Sequence, residues 1–200
     1  MKKFLVDKIP NNGHKYSDFV ELIKQKIEST DISNFNEEEL HLFNYTKLNF
    51  QRMTRIDKTY NVSSELEYLI QKIDYNQLWM VLTEDWCGDS AQNLPYINKI
   101  ASINPNIRLR ILERDKHLDI MDQYLTNGKS RSIPKLVAFN NNGDELFVWG
   151  PRPKEAEELL QKLKDEGLQK EIFVEKLHLW YGRNRGKALE NEFTEIFKKL

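Results

Sequence analysis

In the stretch LTEDWCGDSAQNLP, Leu82 to Pro95, stands the only cysteine of the chain, Cys87, preceded by Trp86 and followed by Gly88, Asp89 and Ser90. A cysteine thiolate attacks a disulfide, forms a mixed disulfide and is set free when a second thiol attacks that intermediate. Where a C-x-x-C pair would hold the second thiol, this sequence holds Ser90. A serine hydroxyl can donate a hydrogen bond to a thiolate, but it cannot expel a product from a mixed disulfide. The chemistry open to Cys87 is therefore one-thiol exchange, with the resolving thiol supplied from outside the chain.

How reactive such a thiol is depends on the elements that hold it. The apolar run QLWMVLTE, Gln77 to Glu84, reads as a buried strand, and beyond Gly88 the residues Leu94, Ile97, Ile100 and Ala101 share one helical face. Cys87 then falls at a helix start, where unpaired N–H groups and the positive end of the macrodipole favour thiolate over thiol. Glu84, Asp85 and Asp89 act the other way, because like charge raises a thiol pKa. The sequence leaves the sign of the net shift open.

The elements around this unit follow from pattern. NIRLRILE, Asn106 to Glu113, alternates as a half-buried strand does; KHLDIMDQYL is a short helical pattern ended by Asn127-Gly128; PKLVAFNNNGDELFVWG reads as a hairpin. KEAEELLQKLKDEG closes the section as a helix with Ala156, Leu159, Leu160 and Leu163 inward and Gly167 as its stop. The order is β-α-β-α-β-β-α over about residues 77 to 167. Before it, Tyr16, Phe19, Leu22, Ile23 and Ile27 make one helical stripe, a second helix runs from about Asn36 to Met53, and Ser63 or Ser64 caps a third carrying Leu66, Leu69, Ile70 and Ile73. After it, EIFVEKLHLW and KALENEFTEIFKKL read as helices, the latter with Leu189, Phe193, Ile196, Phe197 and Leu200 on one face. The expected division is an N-terminal helical extension over residues 1–75, an α/β domain over 76–167 and a C-terminal helical extension over 168–200 packed on the core.

This order, with Trp86-Cys87-Gly88 after the first strand, Pro95 eight residues beyond Cys87, Ile133-Pro134 opening KLVAF, and Gly143 and Gly150 at the hairpin and its exit, resembles the thioredoxin family over Gln77 to Gly167. The resemblance implies a thioredoxin-like α/β fold, a central mixed sheet flanked by helices. It also implies that Cys87 is the nucleophile, with Ser90 beside it as a hydrogen-bond donor. Trp86, Gly88, Asp89, Ile133 and Pro134 are then the substrate-binding residues, Pro134 following a cis peptide bond that presents the backbone of Ile133 to an extended chain. Two positions depart from the family. Val81 replaces the buried aspartate six residues before the first cysteine, and Ser90 replaces the second cysteine. The departures agree, since without a resolving thiol there is none to deprotonate.

Two readings remain open. One is monothiol thiol–disulfide exchange on protein or small-molecule disulfides, with glutathione as a candidate co-substrate and no bound cofactor. The other is a non-catalytic thioredoxin-like binding module. A glutathione-held iron–sulfur cluster is disfavoured by Asp89 and by the lack of an upstream basic residue.

Composition narrows the rest. A net charge of -1, with 40% hydrophobic and 30% charged residues, provides no long-range field for nucleic acid or a membrane surface. No apolar run reaches a membrane span, and MKKFLVDKIPNNGHK is broken too early for a signal peptide, so a mature cytoplasmic protein is expected. His14, His41, His117 and His178 are scattered without ligand spacing, so no metal site is expected. WYGRNRGK, Trp180 to Lys187, combines basic and aromatic residues as a phosphate or single-strand site could, and reads first as a loop between helices. Arg114 and Arg131 are expected at the surface near the thiol. The sequence names neither the partner nor the oligomeric state.

Overall fold

In the N-terminal third the helix starts are set by side chains that satisfy free backbone N–H groups. Asn36 caps α3 (Glu37–Thr59): its side-chain oxygen accepts from Glu39 N–H at 2.9 Å while the Glu39 carboxylate accepts from Asn36 N–H at 2.9 Å. Ser63 caps α4 (Ser64–Gln71) through Leu66 N–H. The computed structural model describes residues 1–200 and places α1 (Lys3–Val6), a 3-10 turn at Ile9–Asn12 and α2 (Tyr16–Ser29) ahead of them. The α3 helix continues past Met53 to Thr59 because Ile56 extends its buried face. Leu22 is no part of the α2 stripe: it is 45% exposed, as Ile23 takes the inward position.

The α/β section forms the expected elements. These are β1 (Gln77–Thr83), α5 (Gly88–Ala101), β2 (Ile107–Glu113), α6 (Leu118–Met121), β3 (Lys135–Phe139), β4 (Glu145–Trp149) and α7 (Lys154–Asp165). In the KHLDIMDQYL stretch α6 covers only Leu118–Met121, following a 3-10 turn at Arg114–Lys116 and giving way to turns from Asp122, so it is shorter than its periodicity suggests. The sheet order is β2-β1-β3-β4; β1 and β2 run parallel with Val81 opposite Ile111, while β1–β3 and β3–β4 are antiparallel. Gly167, at φ +72°, ends α7: its N–H reaches Lys164 O and Leu168 N–H reaches Leu163 O, a Schellman stop. Then come α8 (Lys170–Asn184) and α9 (Lys187–Phe197). Leu200 lies beyond the end of α9 and is 53% exposed, so it does not join the buried face of that helix.

Because β1 is central, both of its faces are buried, which explains a continuous apolar run in place of alternation. Trp79 and Val81 enter a large core with Phe19, Ile23, Met53, Ile56, Leu66, Ile70, Leu94 and Ile97, so the N-terminal helices and the sheet bury one another. Met80 and Leu82 face a smaller core with Phe4, Leu112, Ile120, Ile133 and Val137, against which Trp86 and Cys87 pack. The C-terminal extension is tied in at Trp79, whose ring meets Phe193 edge-on at 5.9 Å and stacks on Phe197 at 5.8 Å. Glu192 adds two bonds, accepting from Trp149 Nε1–H and from the Lys154 N–H at the start of α7, both at 2.6 Å.

Shared cores predict one cooperative unit. Phe193→Ala, at a fully buried position, is expected to lower unfolding free energy by about 3–5 kcal/mol while keeping a single transition in urea. Two separated transitions, with only the weaker one moved, would mean that the extensions fold apart from the sheet.

Candidate thiol site

The end of β1 and the start of α5 deliver the thiol. Cys87 is the N-cap residue of α5 in an extended conformation, and its side chain caps nothing. Instead Sγ–H donates to Ile133 O at 3.3 Å. The carbonyl it meets is the one that precedes Pro134, and the Ile133–Pro134 bond is cis. The exit of the hairpin closes against the same place. Gly150 has φ +110°, and a Cβ there would run into Pro134 O, so no side chain fits. Val81 lies in β1 behind the site, fully buried among apolar neighbours.

Ser90 lies one helical turn from Cys87, is 3% exposed, and its Oγ has no hydrogen-bonded partner. In the thiol state the sulfur is a donor, and it is already engaged with Ile133 O. Ionised, the sulfur becomes an acceptor, and the Ser90 hydroxyl and the N–H groups of Ser90 and Asp89 then favour the charge. They do not prevail. Burial first, and the Asp89 carboxylate second, push the Cys87 thiol up to about 11.

The three carboxylates differ in what holds them. Glu84 accepts from Asp115 N–H at 2.8 Å, and burial raises its pKa. Asp85 pairs with Lys26 of α2 at 2.6 Å and accepts from the Thr46 hydroxyl of α3, while Asn49 of α3 donates to the Asp85 carbonyl at 2.9 Å. Asp89 is paired with Arg152, in the β4–α7 connection, through Nε at 3.1 Å and Nη2 at 2.5 Å, and it accepts from the Tyr181 hydroxyl of α8 at 2.6 Å. Asn93 joins this network by donating to Asp89 O and to the Tyr181 oxygen.

The α8 helix also covers the first turn of α5. A Cβ on Gly88 would come within 2.8 Å of the His178 ring, so glycine is what lets the two helices approach. Gln92 Nε2 faces His178 Nδ1 at 3.4 Å. Burial, with the Arg52 charge of α3 adding to it and Asp89 opposing, pushes His178 down to about 4.

Of the residues singled out in the sequence, Cys87, Trp86, Ser90, Ile133 and Pro134 gather around the sulfur. Gly88 lies beneath His178, and the Asp89 carboxylate turns into the Arg152–Tyr181 network. Arg114 stacks its guanidinium 5.1 Å from the Trp86 ring centroid and pairs with Asp115; Arg131 is bidentate to Asp122. The Arg114 charge counters the raised pKa of Glu84 only weakly, and Arg131 is spent on Asp122. Arg152, His178 and Tyr181, which sequence reasoning missed, are held there by tertiary packing. Only Gly150, at the hairpin exit just ahead of Arg152, drew attention to that segment.

His178 is neutral in the fold and protonates in the unfolded chain below about pH 6.5. Between that value and about 4 the unfolded state binds more protons, so stability falls as pH falls through this window, by up to about 3 kcal/mol. The expected result is that His178→Gln removes about 1–3 kcal/mol of the acid-side loss seen for the native sequence between pH 7 and pH 4.5 in urea titrations. Parallel profiles would count against a buried neutral imidazole.

Comparison with known proteins agrees with this geometry. A family model described as thioredoxin matches residues 36–164, which takes in α3 and α4 as well as the sheet and the thiol site. Among solved structures, the chain is similar to a crystallised HIV 4E10 epitope-scaffold, with a TM-score of 0.60 and 16% identity over 97% of this chain and 98% of that one. It is also similar to a protein of unknown function from Pseudomonas aeruginosa, with a TM-score of 0.54 and 16% identity over 93% of this chain and 98% of that one. At such identity these likenesses speak for the fold alone, helical extensions included. No curated protein matches the chain. With the family model spanning well over half of the sequence and the single thiol at the first turn of α5, the chain belongs to the thioredoxin family.

Proposed function

We propose that the protein is a one-thiol exchange protein in which Cys87 captures a disulfide-bearing partner and holds it as a mixed disulfide until an external thiol releases it. The observation that carries this reading is the meeting of Cys87 Sγ with the Ile133 carbonyl beside the cis bond to Pro134. Backbone groups of an extended partner would pair there while its sulfur reaches Cys87. In the first step the Cys87 thiolate attacks one sulfur of R–S–S–R′, forming Cys87–S–S–R and releasing R′–S⁻, which takes up a proton. In the second, a thiolate of the glutathione class attacks the R sulfur, forming a new disulfide with R and returning Cys87. The disulfide is passed on, with no net oxidation.

The raised thiol sets the tempo. With a pKa near 11, about one molecule in ten thousand is thiolate at pH 7. The greater intrinsic nucleophilicity of a high-pKa thiolate recovers only part of that factor, and the same property makes Cys87 a poor leaving group. Both effects, with no second thiol at position 90, favour capture over turnover. No helix is long and apolar enough to cross a membrane; a reducing intracellular setting, where glutathione-class thiols abound, suits the proposal.

The upshifted thiol and the helices packed over its loop also favour a second reading, a binding module whose partner needs no covalent bond. A pH series of iodoacetamide alkylation should show the Cys87 rate rising about tenfold per pH unit from 7 to 10, and Asp89→Asn should raise the rate at pH 8 by removing a like charge. A midpoint at or below 8.5 would overturn the capture-over-turnover argument. In the native sequence, mixed-disulfide adducts that form with a small disulfide and are cleared by glutathione support exchange. Partner retention unchanged in Cys87→Ser supports the binding module.

A further inference from the structure

WYGRNRGK is only briefly a loop. The α8 helix carries it to Asn184, Arg185 and Gly186 turn the chain in left-handed conformations at φ 52° and 84°, and α9 begins at Lys187. Gly186 is required at the turn, since the Tyr96 ring of α5 lies where a Cβ would be. This tight junction places Arg185 and Lys187 across from Arg55 of α3, around a cleft of about 550 Å³. None of the three makes an ion pair within the protein. The one carboxylate lining the cleft, Glu190, is engaged elsewhere: it accepts from the Tyr60 hydroxyl at 2.7 Å and from Ser63 N–H at 2.9 Å.

Tyr96 supplies an independent sign. Its residue is 6% exposed and its ring packs edge-on against Tyr60 at 4.6 Å, yet its hydroxyl, at the cleft wall, has no hydrogen-bonded partner in the protein. Burial pushes the phenol up while Arg55 and Arg185 pull it back, so both guanidiniums act on the same oxygen. The ring is buried but the hydroxyl opens into the cleft, so an available donor stands beside three unpaired cations with no acceptor from the protein among them.

We propose that the cleft between α3, α5 and the α8–α9 turn binds an organic phosphate, its phosphoryl oxygens taken by Arg55, Arg185, Lys187 and the Tyr96 hydroxyl. Planar guanidinium forks suit tetrahedral oxyanions, and three cations without counter-charge favour a ligand carrying at least two negative charges. The volume is in the range of small-molecule clefts and well above what inorganic phosphate fills. Tyr60 and Tyr181 form apolar walls for the ester portion.

Calorimetric titration of the full chain with ADP, pyrophosphate and inorganic phosphate, at matched ionic strength in sodium chloride, tests this. The expected result is saturable submillimolar binding of ADP, tighter than that of inorganic phosphate. Arg55→Gln and Arg185→Asn should each weaken it at least tenfold; asparagine tolerates the left-handed turn. Lys187→Gln repeats the test without touching a turn residue, and Lys154→Gln on α7 should leave binding unchanged. Absence of saturable binding for all three probes overturns the site, as does ADP binding that survives the arginine and Lys187 substitutions. Inorganic phosphate binding as tightly as ADP overturns the assignment to an ester.

Discussion

Asp89 and Arg152, with side chains 12% and 16% exposed, form an ion pair that joins the first turn of the thiol-bearing helix to the hairpin exit. Taking two charges out of water is costly, and the cost is recovered only where geometry is good and the remaining lone pairs are filled. Here both oxygens of Asp89 are occupied, one by two guanidinium nitrogens and the other by the Tyr181 hydroxyl, and Glu157 also pairs with Arg152. Three segments far apart in sequence are thereby pinned at one carboxylate. That carboxylate also raises the Cys87 thiol, so the interaction that orders the site restrains its chemistry.

The two extensions take part in the site as well as in the core. Lys26, Thr46 and Asn49 hold Asp85 from one side, and His178 and Tyr181 press on Gly88 and Asp89 from the other. A bare sheet with α5 and α7 would leave the Trp86–Ser90 loop open to water. The added helices cover part of it, while the sulfur itself packs against the smaller core of the sheet; burial is the first cause of the high thiol pKa. They are held to the sheet by apolar contacts around Trp79, so a position in the core far from the sulfur supports the walls around it.

Much of the fold was legible because its signals are local. A capping box at Asn36, a serine cap at Ser63, helical stripes and the turn at Asn140 to Asp144 each involve residues a few positions apart. Where reading failed, a non-local factor was at work. Leu22 fits the α2 stripe by spacing, yet Phe19 and Ile23 take the buried positions against the core and Leu22 is left 45% exposed. Lys135 stands in an apparent core strand; its ammonium reaches the Thr126 hydroxyl at 2.9 Å and the Gly150 carbonyl at 3.2 Å, a solution invisible in the strand itself.

For the thiol, sequence by itself determined the inventory: one cysteine, a serine where a resolving thiol would stand, valine in place of a buried acid, and a helix start at Cys87. These are matters of residue identity and short-range pattern. Only tertiary structure decided the sign of the Cys87 shift, the pairing of Asp89 with Arg152, and the grouping of Arg55 with Arg185 and Lys187. Desolvation and Coulomb interaction depend on distance in space, and the chain brings these groups together only when its helices close over the sheet.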